Sequence, residues 1–180
     1  VAADRTPLGV VVAAEVVRRA KAGNIHIHFT HMGYGTQNSL DALCSKCPEL
    51  VLPTGIKSID GIGFQHCRSL TSITLPPDLE SIGEDAFCKC TTLRTVVLPP
   101  TLKSIGYGAF YDCSFTSITL PAGLQRIGAG AFWNNTHLTA LVIPDSVTEI
   151  GSHAFSWNPS LASLTLPASI TEVADFLACG

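Results

Sequence analysis

The chain has 180 residues, 46% of them hydrophobic and only 14% charged, with a net charge of −3. That length supports one domain with a sizeable core, while so few charges, against roughly 25% in an average domain, leave little room for electrostatic recognition. The sequence shows neither the basic face of a nucleic-acid binder nor the ~18 consecutive apolar residues of a membrane span, so no nucleic-acid partner and no membrane insertion are expected of this segment.

Residues 1–41 do not repeat and are read as an N-terminal cap. Thr6-Pro7 is a good helix start, with Thr as N-cap and Pro at the first position, and Gly23 is a plausible stop. Glu15 precedes Arg19 by four residues, a favourable helical pairing, although the many valines are poorer helix formers. The apolar run "LGVVVAAEVV" is followed, not preceded, by Arg18, Arg19 and Lys21, the wrong order for a signal peptide. "NIHIHF" (24–29) reads as a strand and "HMGYGTQN" (31–38) as a turn, giving a helix-plus-strand unit of the kind an open solenoid end needs.

His26 and His28 project to one side of that strand, with His31 just beyond, which makes them weak candidates for a metal site. The competing reading is a surface strand with incidental histidines, since no nearby carboxylate completes the set; no cofactor is expected. Cys44-x-x-Cys47 is compatible with half a zinc site, a disulfide or free thiols. The other candidate pair, Cys88-x-Cys90, has shorter spacing, and seven irregularly placed cysteines leave the redox compartment open.

From residue 42 to 180 the chain repeats. Copies start at Leu50, Ile73, Val96, Ile118, Leu141 and Leu164, with spacings of 23, 23, 22, 23 and 23 residues. Such a period signals stacked coils, because one unit cannot bury its own apolar face. Within each coil an alternating strand places Ile73 and Leu75, or their equivalents, on one side. A proline then ends the strand (Pro53, Pro76, Pro99, Pro121, Pro144, Pro167). Leu79, Ile82, Ala86 and Phe87 and their equivalents return the chain across the core. Gly83, Gly106, Gly128 and Gly151 follow the isoleucine, with Asp60 in the first coil, and are expected to supply a tight or positive-φ turn.

Cys67, Cys90 and Cys113 fall at one repeat position, which Asn135 and Asn158 fill in the next two coils. A position that accepts either residue argues against a nucleophile or half of a bridge. The shared property is a compact polar side chain, so these five are read as a hydrogen-bonded structural ladder inside the solenoid. Gly106-Tyr107-Gly108 lacks phosphate-loop spacing, and its equivalents are Gly-Glu-Asp and Gly-Ser-His. No catalytic constellation is found, and no enzyme activity is expected.

The unit, typified by "SITLPPDLESIGEDAFCKCTTL" (72–93), resembles the BspA-like leucine-rich repeat family over residues 42–180. The resemblance implies an α/β repeat solenoid: a right-handed coil stack with one parallel sheet and short irregular or helical convex segments. It also implies surface-exposed adhesion or protein binding, on the cell surface or outside the cell, and supplies no catalytic motif. The compartment itself is not fixed by the sequence.

Two surfaces are candidates for contact with a protein or glycan partner. The outward strand positions, among them Thr74, Thr119 and Thr165, form a flat, hydroxyl-rich face, for which simple β-propensity is the competing explanation. The second is aromatic: Tyr107, Tyr111, Trp133 and Trp157 gather at one corner, with Tyr111 and Trp133 at the same repeat position. Asn134-Asn135-Thr136 matches a glycosylation acceptor. The last coil is short and lacks the Gly-x-x-Ala-Phe pattern and any polar cap, as expected of a segment cut from a longer array. The leading expectation is a non-enzymatic interaction module. A structural spacer and a metal-dependent activity at His26 and His28 are the alternatives.

Overall fold

In the computed structural model, residues 26–27 and 48–170, apart from 53, 60 and 62, are described. The expected N-terminal helix and cap, Cys44 and Cys47, His28 and His31, and the end of the last coil lie outside them. For His26 only the backbone is described.

Among the described residues, eleven short parallel strands account for the regular structure. Five of them, β2 (Glu49–Val51), β4 (Ser72–Thr74), β6 (Thr95–Val97), β9 (Ala140–Val142) and β11 (Ser163–Thr165), are the segments before the prolines. Each pairs with its equivalent one coil away, for example Ile73 with Val96. The strands stop just before a leucine or isoleucine, buried at Leu52, Leu75, Leu98 and Ile143 and half-buried at Leu166, and from Pro76 onward the proline beyond it begins a turn. Its carbonyl accepts the amide three residues on, as in Leu79 N to Pro76 O at 3.2 Å and Leu102 N to Pro99 O at 3.1 Å.

A second row consists of β1 (His26–Ile27), β3 (Ser58–Ile59), β5 (Ser81–Ile82), β7 (Ser104–Ile105), β8 (Arg126–Ile127) and β10 (Glu149–Ile150), joined in that order into one six-stranded sheet. The expectation of one parallel sheet is therefore corrected. Two sides of the coil carry strands, and the first row is itself divided into a three-stranded sheet, β2-β4-β6, and a two-stranded sheet, β11-β9.

The division has a sequence cause. The coil that starts at Val96 is the 22-residue one, with a residue missing between Cys113 and the core position held by Phe115. The shortened bend leaves the next segment with a lone bridge, Ser117 to Ala140, in place of a paired strand. Phe115, edge-on to Phe110 at 5.5 Å, fills the core where neighbouring coils have leucine.

The third side was expected to be irregular or helical. Among the described residues there is no helix, so the α/β class is replaced by an all-β solenoid. The amides on this side point along the stack and not back along the chain. Asp85, Phe87 and Lys89 donate to the carbonyls of Tyr107, Ala109 and Tyr111, at 2.8, 2.8 and 2.7 Å. Positive φ at Asp85 (52°) and Lys89 (58°) interrupts any helical run between them. Every coil thus spends its backbone polar groups on its neighbours.

The core is a set of columns. Phe64, Phe87, Phe110, Phe132 and Phe155 stack at centroid separations of 5.2, 5.3, 5.5 and 5.9 Å. Leu79, Leu102, Leu124 and Val147 are fully buried in a second column, and Ala86, Ala109, Ala131 and Ala154 in a third. Aliphatic and aromatic burial of this density is the main favourable term, and it exists only between coils.

The glycine after the isoleucine opens a tight turn, as expected, with Ala109 N donating to Gly106 O at 3.4 Å and Ala131 N to Gly128 O at 3.3 Å, but the positive-φ alternative is not found. Gly83, Gly106, Gly128 and Gly151 are not in the positive-φ region. Gly106, Gly128 and Gly151 mark a close approach of successive backbones: a Cβ on Gly106 would lie 2.7 Å from the carbonyl carbon of Gly83. Gly106→Ala is expected to force the two coils apart and cost about 1–3 kcal/mol, read as a lower midpoint in urea unfolding. An unchanged midpoint would show that the corner has room for a methyl group.

Candidate interaction groove

The third side carries several positions at which the coils differ. In each coil the residue two after the corner glycine tends to φ > 0: Asp85 (52°), Gly108 (55°), Gly130 (61°) and His153 (58°). Two of these four are glycines, so in two adjacent coils the column has no side chains. Tyr111 and Trp133, three residues further on in the same two coils, flank the space. A Cβ on Gly130 would lie 3.7 Å from Cε3 of Trp133.

The result is a groove of about 640 Å³ running along the solenoid axis. Tyr111 and Trp133 stand 6.2 Å apart at 48°, and Trp133 stands 5.3 Å from the His153 ring at 47°. Tyr107, exposed, lies on one margin; Gln65, Asp85 and Lys89 lie toward the earlier coils, and Ser152 toward the later one. Burial, then the neighbouring Glu84 charge, raises the Asp85 carboxyl above its ordinary range, against a hydrogen bond from Cys88 that lowers it.

The proposed aromatic set is thus divided. Tyr111, Trp133 and Tyr107 meet at the groove, whereas Trp157 is not among the residues that line it. Trp157 sits at the next corner, 55% exposed, in the column of Asp112 and Asn134. The hydroxyl-rich candidates are on another side altogether. Thr74, Thr119 and Thr165 are exposed on the first strand row, alternating coil by coil with the exposed Val51, Val97 and Val142. His153 was not singled out from the sequence. Its only signal was that it interrupts a column otherwise holding glycine in the two preceding coils.

Behind the groove, the Cys/Asn position forms side-chain bonds to the phenylalanine carbonyl of the preceding coil. Cys90 Sγ donates to Phe64 O at 3.0 Å and Cys113 Sγ to Phe87 O at 3.3 Å. Asn135 Nδ2 donates to Phe110 O at 2.9 Å and Asn158 Nδ2 to Phe132 O at 3.0 Å. Asn158 Oδ1 also accepts the Asn135 amide at 2.7 Å. Cys67 departs from the expected role, because it is disulfide-bonded. No Ala-Phe pair precedes it in the sequence, so this first rung has no repeat carbonyl of that kind to reach. Asn134, the acceptor of the glycosylation pattern, is half-buried and donates its side-chain nitrogen to Asp112 Oδ1 at 3.0 Å.

The thiols here are not nucleophiles. Burial, helped by the Asp85 charge, pushes Cys88 up to about 11, and burial pushes Cys90 up to about 12. Cys113 is raised too, first by burial and then by Cys90. All three stay protonated near neutrality, when only the thiolate reacts. Among the described residues there is also no group of three side chains able to hold a metal ion.

A stack of parallel-strand coils with leucine-rich cores and a proline-turned corner defines a leucine-rich repeat solenoid. The BspA type leucine-rich repeat region matches residues 57–177 in six copies, and the chain belongs to that family. A leucine-rich repeat protein of T. pallidum is similar at 30% identity and a TM-score of 0.63, over 67% of this chain and 71% of that one. One from Bacteroides ovatus is similar at 34% identity and a TM-score of 0.63, over 66% of this chain. One from Eubacterium ventriosum has 26% identity and a TM-score of 0.62, over 68% of this chain. The chain spans only 33% and 32% of the last two. No curated protein sequence matches it.

Two outcomes follow from the interior. Iodoacetamide at mildly alkaline pH should leave Cys88, Cys90 and Cys113 unmodified in the folded protein and label all three in urea, as read by peptide mass mapping. Asn135→Ala should cost about 1–3 kcal/mol by stranding the Phe110 carbonyl. Asn135→Cys should cost less, because it restores the rung of earlier coils and removes a buried Oδ1 that has no hydrogen-bond partner. Equal losses for the two variants in urea unfolding would mean the rung bond contributes nothing.

Proposed function

We propose that the chain is a non-enzymatic interaction segment of an extracellular or cell-surface repeat array, with the Tyr111–Trp133 groove as its contact surface. The observation that carries this reading is the grouping of variable residues. Core positions are nearly the same from coil to coil, while the coils vary at the turns after the prolines and along a concave strip, and of these it is the strip that holds two large aromatic side chains. Tyr and Trp are enriched where surfaces meet, and a groove concentrates their apolar area better than the flat strand face does.

The disulfide at Cys67 supports an oxidising location. Family membership supports a repeat module whose business is contact with other molecules, and the longer chains of B. ovatus and E. ventriosum fit a segment that works within an extended stack. A hydrogen-bonded Asn134 that keeps its side chain for Asp112 fits an unmodified corner beside the groove.

Beads coated with the protein should adhere to a layer of cultured epithelial cells, and Trp133→Ala should reduce adhesion several-fold while Val97→Ser, on the strand face, leaves it unchanged. Equal adhesion by wild type and Trp133→Ala would remove the groove as the contact surface and favour the spacer reading.

A further inference from the structure

We propose that the groove binds a neutral glycan chain, laid along the solenoid axis across Tyr111 and Trp133 with one sugar ring per coil; this rests on the groove being the contact surface.

The argument begins with how the rings are held. In the core, phenylalanines such as Phe64 and Phe87 stack at an interplanar angle of 5°, spending their faces on one another. Tyr111 and Trp133 are tilted at 48°, and Trp133 meets the His153 ring at 47°, so these half-buried rings are not closed face to face as the phenylalanines are. The adjoining column carries glycine at 108 and 130, where the Asp85 carboxylate covers Gly108 and the Trp133 ring lies against Gly130, so the groove is lined by the two rings with a carboxylate beside them. A sugar ring fits such a groove: its C–H face is apolar enough to lie on an aromatic surface, and its rim of hydroxyls needs hydrogen-bonding groups at the margin.

The margin supplies them. Asp85 offers a carboxyl, Gln65 an amide that both donates and accepts, and Ser152 a hydroxyl. Asp85 and Lys89 oppose one another in charge, with His66 and His153 the other ionisable nitrogen groups in the lining, so the groove lacks the cluster of like fixed charges that would select an anionic polymer or a cation. Its volume of about 640 Å³ falls in the range of about 300–1,000 Å³ usual for small-ligand sites. The lining runs along the axis over successive coils, and a chain of linked units is a ligand that can follow it from Tyr111 to Trp133.

An extended peptide is a poorer match. Peptides gain much of their affinity by adding a strand to an open edge. Here the backbone amides beneath the groove are already paired along the stack: Gly108 and Phe110 donate to Ala129 and Ala131 at 2.9 and 2.8 Å.

The test uses the two tryptophans of the chain. In Trp157→Phe, Trp133 is the sole indole, and its emission reports the groove. Titration with cellohexaose, chitohexaose, laminarihexaose and mannohexaose should give a saturable emission change with at least one. Tyr111→Ala in that background should weaken it about tenfold, and Tyr111→Phe, which keeps the ring, should restore it. Circular dichroism and urea midpoints establish that each variant is folded. No saturable change with any of the four sugars, or equal binding by Tyr111→Ala, would overturn the proposal. Tighter binding of a heparin hexasaccharide than of every neutral sugar would overturn its claim of a neutral ligand. Binding of the groove to a synthetic peptide pool but to none of the sugars would assign the site to peptides.

The outcomes separate from those of the adhesion experiment. Trp133-dependent adhesion without sugar binding leaves the contact surface and removes the glycan. Sugar binding with adhesion that ignores Trp133 keeps the glycan site and removes its role in adhesion.

Discussion

Everything in this molecule depends on one constraint: backbone polar groups are satisfied across coils. On three sides the amides and carbonyls point along the stack, for example Phe87 to Ala109 and Gly83 to Ile59 at 2.8 and 2.7 Å. A coil without neighbours would bury unpaired donors and acceptors, which is costly, and would leave its phenylalanine without a partner. Stability is therefore a property of interfaces, as in other one-dimensional arrays.

Fixing the spacing in this way fixes the side chains as well. Equivalent residues must lie one above another, so each repeat position becomes a column with its own rule. Phenylalanine stacks, alanine leaves room for the ladder beside it, and the corner glycine admits a neighbouring backbone. Hydroxyl groups at the bends add bonds of the same axial kind, such as Thr92 Oγ1 to Arg68 O and Leu70 O at 2.8 and 2.9 Å. The exposed pair Lys57–Glu80, at 3.1 Å, adds little by comparison.

The columns made much of the fold legible in the sequence. Period, strand segment, proline turn and buried leucine, isoleucine and phenylalanine could be read from recurrence alone. The absence of a helix in the described residues could not, because Leu79, Ile82 and Phe87 have a spacing that a helical face would also satisfy. For the corner glycine the tight turn was legible but the choice between positive φ and close approach was not, because glycine serves both and the sequence does not distinguish them. The real positive-φ sites carry Asp, Lys, Asn, His and Trp as well as glycine, residues that hide the pattern. The groove was half legible: Tyr111 and Trp133 share a column and are visible as a pair. The rest of its lining, with glycines in a different column and the Asp85 carboxylate over one of them, becomes apparent only when the coils are stacked. The disulfide at Cys67 was concealed by its position, which elsewhere in the array is a rung.

The 22-residue coil shows which changes this architecture can inherit. A residue was lost from the bend before Phe115, where the result is one missing strand pairing, while the six-stranded sheet and the phenylalanine column pass through that coil intact. Loss or gain of a whole coil would disturb even less, since each new junction would repeat an existing one. A lineage carrying such a stack can lengthen or shorten it by unequal recombination between coils and still fold, and each duplicated coil brings a fresh set of groove residues free to diverge.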